Sequence, residues 1–361
     1  MIGNKRNFVA GALAASVVGR EFAQRLREDD LGGKVALITG GSRGLGLALA
    51  RGLADEGCKV VICSREVAEL EQAREELAAR GAVVLATRCD VANQAQVEQL
   101  VAIASKRFGP IDLLINNAGV ITVGPLESSR IDDFKQAMDI MFWGMLYPTL
   151  AVLPSMRERK SGRIVNITSI GGRMAMAHLL PYDAAKFAAT GFSEGLHAEL
   201  AQQGITVTTI TPGLMRTGSH LNALFKGRVE EEYTWFSLAA SLPVISIDAD
   251  RAARQIIRAT KRREADRVIT LPAFIAARFH GIAPGLTAQL IGLVNRMLPA
   301  PNGDEAVRGL EIEAASDEHW RDRLTTLGRS AASQLNQFST QSEWSRVENL
   351  RNRPDRTTGQ E

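Results

Sequence analysis

Val35-Ala36-Leu37-Ile38-Thr39-Gly40-Gly41-Ser42-Arg43-Gly44-Leu45-Gly46 is a short apolar run that ends in a glycine-rich turn and passes at once into a helical pattern. The apolar run predicts a buried strand. Gly40 permits a tight turn out of that strand. Gly44 lets backbone approach a diphosphate, and Gly46 lets the next helix pack closely on the sheet. The helix N-terminus then offers unpaired N–H groups and a partial positive charge to phosphate oxygens. Gly40, Ser42, Arg43, Gly44, Leu45 and Gly46 are the candidate phosphate-binding residues. An ordinary glycine-rich turn is the competing explanation, and the strand–turn–helix context weighs against it.

Outward from this stretch, apolar runs alternate with longer amphipathic ones from residue 34 to about 271. The runs are 35–39, 59–63, 83–89, 111–115, 163–168, 206–210 and 267–270. Between two of them Val67, Leu70, Ala73 and Leu77 recur at helical spacing. Alternation of this kind specifies an α/β fold: a Rossmann-type doubly wound parallel sheet of seven strands, with helices on both faces. It divides the chain into an N-terminal apolar or amphipathic extension (1–33), a nucleotide-binding domain (34–271) with a lid at 214–244, an apolar C-terminal segment (272–300) and a polar tail (301–361). The tail is expected to be partly mobile, with one helix near 317–337.

The 361 residues are 45% hydrophobic, ordinary for a globular protein. A net charge of +3 from 43 basic and 40 acidic residues gives no electrostatic argument for nucleic acid. Cys58, Cys63 and Cys89 have neither metal-ligand spacing nor an even count, and their apolar neighbours suggest buried reduced thiols. No metal is expected.

The glycine spacing is Gly-x-x-x-Gly-x-Gly, and with the later motifs it resembles the short-chain dehydrogenase/reductase family. Asn116-Asn117-Ala118-Gly119 looks like the family's Asn-Asn-Ala-Gly element. Asp90-Val91 looks like its adenine-binding pair. Pro212-Gly213 with Thr217 resembles the segment that holds the nicotinamide carboxamide. The resemblance covers roughly 34–271 and implies a nicotinamide-dependent oxidoreductase. It places Asn117, Ala118, Gly119, Asp90, Val91, Pro212, Gly213 and Thr217 in the cofactor site. At the end of the second strand an acidic residue would bind a free ribose 2′-hydroxyl. Ser64 and Arg65 stand there instead, and Arg43 faces them from the glycine loop. Planar guanidinium forks suit a 2′-phosphate, so the reading favours NADP(H) over NAD(H).

Tyr182 and Lys186 are four apart and share a helix face. The lysine ammonium and the positive nicotinamide ring are expected together to lower the tyrosine pKa from its usual ~10, making the hydroxyl an acid/base for a carbonyl or alcohol. Lys186 is also expected to bind the nicotinamide ribose. Ser169, thirteen residues before Tyr182, occupies the place of the family's catalytic serine and would orient the substrate oxygen. One departure is Met141, which stands where the family carries an asparagine that anchors a relay water. That leaves an alternative open: a catalytically silent NADP(H)-binding sensor or scaffold. His178 is read as an exposed loop histidine, and His197 and His280 as structural.

On the substrate side, the lid residues Met215, Leu221, Leu224, Phe225, Tyr233, Trp235, Phe236 and Leu238 suggest a lipophilic carbonyl or alcohol. Two further apolar runs suggest a membrane surface. Phe8–Val18 carries Lys5, Arg6 and Arg20 at its edges. Phe274–Leu298 is broken by Gly281, Pro284 and Gly285. Each piece is too short to span, which takes about 20 residues. Peripheral contact is one expectation; packing of the second run on the domain or in a homo-oligomer interface is the other. A cytoplasmic location follows from the cofactor and the reduced cysteines.

Overall fold

The computed structural model describes residues 28–315 and 319–337, and only the backbone of 319–324. The expectation for Phe8–Val18, and the part of the tail beyond residue 337, lie outside the described residues. Seven strands form one parallel sheet: β1 (Val35–Thr39), β2 (Lys59–Ser64), β3 (Val84–Arg88), β4 (Leu113–Asn116), β5 (Gly162–Ile167), β6 (Ile205–Thr211) and β7 (Asp266–Val268). Their order across the sheet is β7-β6-β5-β4-β1-β2-β3. The chain starts in the middle, runs to one edge, then returns past β1 to the other. That reversal between β1 and β4 opens a crevice at the carboxyl ends of the strands, where doubly wound folds bind ligands.

All five residues of β1 are buried, as a strand covered on both faces requires. Alternation sorts them. Ala36 and Ile38 join one core with Val60 and Ile62, whereas Val35 and Leu37 join the other with Val61 and Cys63. The first core is covered by α1 (Gly44–Asp55), α2 (Val67–Ala79) and, from late in the chain, Ala249–Lys261. The second is covered by α3 (Gln94–Phe108), α4 (Ile131–Met138), α5 (Gly144–Glu158) and α6 (Leu180–Leu200). A π-helical turn at Asp139–Trp143 joins α4 to α5. Cys58, Cys63 and Cys89 are free and buried.

The segment after β6 builds a second layer. Leu214–Arg216 pairs with Ser246–Asp248, and Leu224–Phe225 pairs with both Thr122–Val123 and Val307–Arg308. Above them lie α7 (Val229–Ser241), the short helix Gly309–Ala315 and the helix His319–Gln334. Residues read as a polar tail with one helix near 317–337 therefore pack against the lid, and that helix is His319–Gln334. Leu310 and Ile312 are buried in it. The apolar run 272–298 forms two helices, α8 (Leu271–Ile282) and α9 (Pro284–Asn295). Ala273 and Thr287 are their only buried residues among those described.

Candidate active site

β1, the glycine turn and α1 set the floor of the crevice. Gly40 has φ +62°, which favours glycine. At Gly46 a side chain has no room. A Cβ there would overlap the Gly40 carbonyl oxygen and sit 2.7 Å from the Asn117 amide nitrogen. Asn117 fixes this approach: its side-chain nitrogen donates to the carbonyls of Thr39 (3.0 Å) and Gly40 (3.1 Å). The Thr39 hydroxyl in turn accepts from the N–H groups of Asn117 and Ala118. Deeper, a buried chain of Thr149, Asn116, Asn166, Ser193 and Thr209 ties β4, β5 and β6 to the helices on them. Asn116 Oδ1 is the one side-chain atom of this chain of bonds left buried without a partner among the described residues.

A cavity of about 680 Å³ runs along this floor. Every candidate residue lines it: Gly40, Ser42, Arg43, Gly44, Leu45, Gly46, Ser64, Arg65, Asp90, Val91, Asn117, Ala118, Gly119, Ser169, Tyr182, Lys186, Pro212, Gly213 and Thr217. The N–H groups of Leu45 and Gly46, in the first turn of α1, have no acceptor among the described residues. A dinucleotide diphosphate fits there, on unpaired donors at a helix N-terminus. Among the described residues no group of His, Cys, Asp and Glu converges as metal ligands.

At the β2 end Arg65 is exposed and makes no ion pair among the described residues. Arg43 is held from behind. Its Nη1 donates to the buried Glu69 carboxylate at 2.7 Å and to Asn222 Oδ1 at 3.1 Å. Its Nε and Nη2 have no partner among the described residues, and Arg43 lines the crevice. Glu69, Asn222, Arg308 and Gln337 also line the cavity, and none was read from sequence. An acid in the first turn of α2, beside the glycine loop, was the readable signal for Glu69. The other three come from distant segments with no motif.

At the opposite end Ser169 follows β5, and its Oγ accepts from the Gly171 N–H at 3.0 Å. Tyr182 and Lys186 come from the first turns of α6. Burial pushes the Tyr182 hydroxyl up to about 12; its hydrogen bond to Ser169 pulls the other way, and the neighbouring Asp183 charge adds to the rise. Burial also pushes Lys186 down to about 8. The lowering expected from Lys186 is thus outweighed by burial. The Lys186 ammonium lies 5.7 Å from the tyrosine ring centroid and donates instead to the Ile167 carbonyl at 2.9 Å. Desolvation, which disfavours both charged forms, decides the outcome. Met141 is buried in the π turn and faces Gly119.

His178 is not an exposed loop residue. It is 6% exposed, with φ +65°, and its Nδ1 lies 2.7 Å from a carboxylate oxygen of Glu232 on α7. The other oxygen of Glu232 accepts from the Trp235 indole at 2.7 Å. This buried cluster fastens the lid to the loop that leads into α6. His197 does hold structure, with its Nδ1 2.8 Å from the Val207 carbonyl oxygen. Of the eight apolar lid residues, Met215 and Leu224 line the cavity. Phe225, Tyr233 and Phe236 instead pack with Val123 and Ile312 in a separate small core, with Trp235 against it.

A doubly wound sheet with a glycine-loop crevice at its switch point defines a nucleotide-binding α/β protein. Comparison with known proteins narrows this: a family model described as short chain dehydrogenase matches residues 34–224. The chain belongs to that family of oxidoreductases, which bind NAD(P)(H) and act on small molecules. It is 31% identical over 293 residues to an oxidoreductase of Botryotinia fuckeliana, covering 80% of this chain and 97% of the relative. A solved actinorhodin polyketide ketoreductase variant with NADPH superposes with TM-score 0.58 at 31% identity, over 66% of this chain and 95% of that one. A short chain dehydrogenase/reductase from Burkholderia phymatum in complex with NAD shares the fold, with TM-score 0.64 at 24% identity, over 71% of this chain and 96% of that one.

Proposed function

We propose that this protein is an NADP(H)-dependent carbonyl reductase or alcohol dehydrogenase acting on a lipophilic substrate, with Tyr182 as the acid/base. The observation that carries the reading is a buried tyrosine hydroxyl, pushed up to about 12, in the same cavity as Ser169, Lys186 and the glycine loop. At neutral pH that hydroxyl keeps its proton and can donate it to a carbonyl oxygen. Ser169 holds the same oxygen in line. Lys186, near 8, sits where a modest local charge decides whether it is protonated. When bound, the reduced nicotinamide supplies the hydride. Val120, Ile121, Ile140, Met215 and Leu224 give the adjoining space an apolar lining, which supports a lipophilic substrate.

Cofactor choice rests on Arg65 and on the unpartnered part of Arg43. NADPH is expected to bind at least tenfold more tightly than NADH, since a charge-assisted phosphate contact contributes about 1.5–3 kcal/mol. Arg65→Asp is expected to reverse the order. Calorimetric titration of both cofactors checks this, and equal affinities for the unmodified chain defeat the assignment.

The helical hairpin of α8 and α9 supports a cytoplasmic enzyme that sits on a membrane surface. Ile275, Ile282, Leu286, Leu293 and Met297 are each at least half exposed, with Arg278 and Arg296 beside them. Packing on the chain's own core, one of the two expectations for this run, accounts for little of it. An apolar face with basic edges matches an interfacial helix pair. The full-length chain is expected to sediment with anionic vesicles at low salt, and Ile282→Asp/Met297→Asp to weaken that. If instead the chain stays in solution as an oligomer that the same pair of changes dissociates, the face is an interface between copies.

A further inference from the structure

The last described residues of the chain reach back to the glycine loop, and their side-chain amides and the Leu335 carbonyl bond to edges of the crevice. The helix His319–Gln334 packs on α7 and delivers Leu335, Asn336 and Gln337 to the mouth of the cavity. The Leu335 carbonyl accepts from the Gly44 N–H at 2.9 Å, satisfying one orphan donor of α1. The Asn336 amide donates to the carbonyls of Ser42 and Glu69, both at 2.9 Å. Gln337 donates to the Thr217 carbonyl at 2.6 Å, and the Asn222 amide donates to its backbone and side-chain oxygens at 2.9 and 2.8 Å. Asn336 and Gln337 are 6% and 3% exposed. The space left by the missing side chain of Gly44 holds the Gln337 amide, 2.9 Å from where a Cβ would stand.

We infer that Leu335–Gln337 is a strap belonging to the dinucleotide site, which roofs the diphosphate and sets the rate at which the cofactor leaves. The inference rests on the proposed cofactor reading. Three edges of the crevice meet at this strap: the glycine loop, the start of α2 and the segment 217–222 after β6. A roof rather than a plug is indicated by the cavity, which continues from Arg65 and Asp90 to Ser169 and Tyr182 with Gln337 in its wall. The Leu45 and Gly46 N–H groups also stay open beneath the strap, while Gly44 alone is engaged by it. Opening the roof breaks six hydrogen bonds, those to Gly44, Ser42, Glu69, Thr217 and the two from Asn222. Their loss in concert is the barrier to release.

The test uses the full-length chain and measures NADPH release by stopped-flow displacement, following energy transfer from protein tryptophans to the nicotinamide. Asn336→Ala/Gln337→Ala is expected to release NADPH at least tenfold faster, with an association rate that does not rise in proportion. Asn222→Ala, which frees Gln337 from the other side, is expected to act in the same direction. Thermal melts without cofactor establish that each variant is folded. Unchanged release in both variants overturns the strap. So does tighter NADPH binding on removing the two amides, because the segment would then compete with the cofactor. Titration of the unmodified chain with NADPH and NADH tests the cofactor reading separately. Binding of either cofactor upholds a dinucleotide site, whatever the strap does.

Discussion

Tyr182→Phe is expected to remove nearly all turnover while leaving NADPH affinity close to that of the unmodified chain. The change deletes one hydroxyl and keeps the ring that packs against the second core. Positioned proton transfer contributes about 10²–10⁴-fold to rate, and that range is the expected loss. Single-turnover hydride transfer from NADPH to a panel of ketones measures the effect without interference from product release. A variant that keeps most of the rate removes Tyr182 from the mechanism. An unmodified chain that binds NADPH but transfers no hydride is the silent binding protein.

Gly46→Ala is expected to cost both stability and cofactor. The new methyl group meets backbone, the Gly40 carbonyl oxygen, and not the end of a flexible side chain. Either α1 lifts from the sheet or the glycine turn shifts, and both move the open N–H groups of Leu45 and Gly46. Overpacking of this kind costs about 1–3 kcal/mol. Dinucleotide affinity is expected to fall by more than roughly tenfold, because the displaced donors are those a diphosphate would use. A thermal melt and a calorimetric titration check the two losses together. Unchanged values for both would show that the helix does not depend on this close approach.

The sheet was legible because its strands are short, apolar and regularly spaced. Each of the seven runs starts and ends within two residues of the observed strand. The cofactor floor and the residues around Tyr182 were legible because they lie in local motifs. What could not be read has no local pattern. His178 is buried only because α7, more than fifty residues later, brings Glu232 to it. The aromatic lid residues turn away from the crevice because Val123 and Ile312, from opposite ends of the domain, complete a core around them. Val307–Arg308 is two residues long and shows no period at all. The direction of the Tyr182 shift was misread for a related reason. Spacing places a lysine nearby, but burial, which spacing does not report, dominates both groups.

Asn336 meets the Ser42 carbonyl across 294 residues of sequence. Contacts of that separation form late, since the loop they close must first lose its freedom. During synthesis from the N-terminus, α1 and the glycine turn leave the ribosome almost three hundred residues before their last partner. Sheet and crevice can therefore assemble with an open mouth, which the proposed strap at Leu335–Gln337 would cover later. Such a timetable would give a nascent domain a period in which a large ligand has free access, until Leu335–Gln337 has been made.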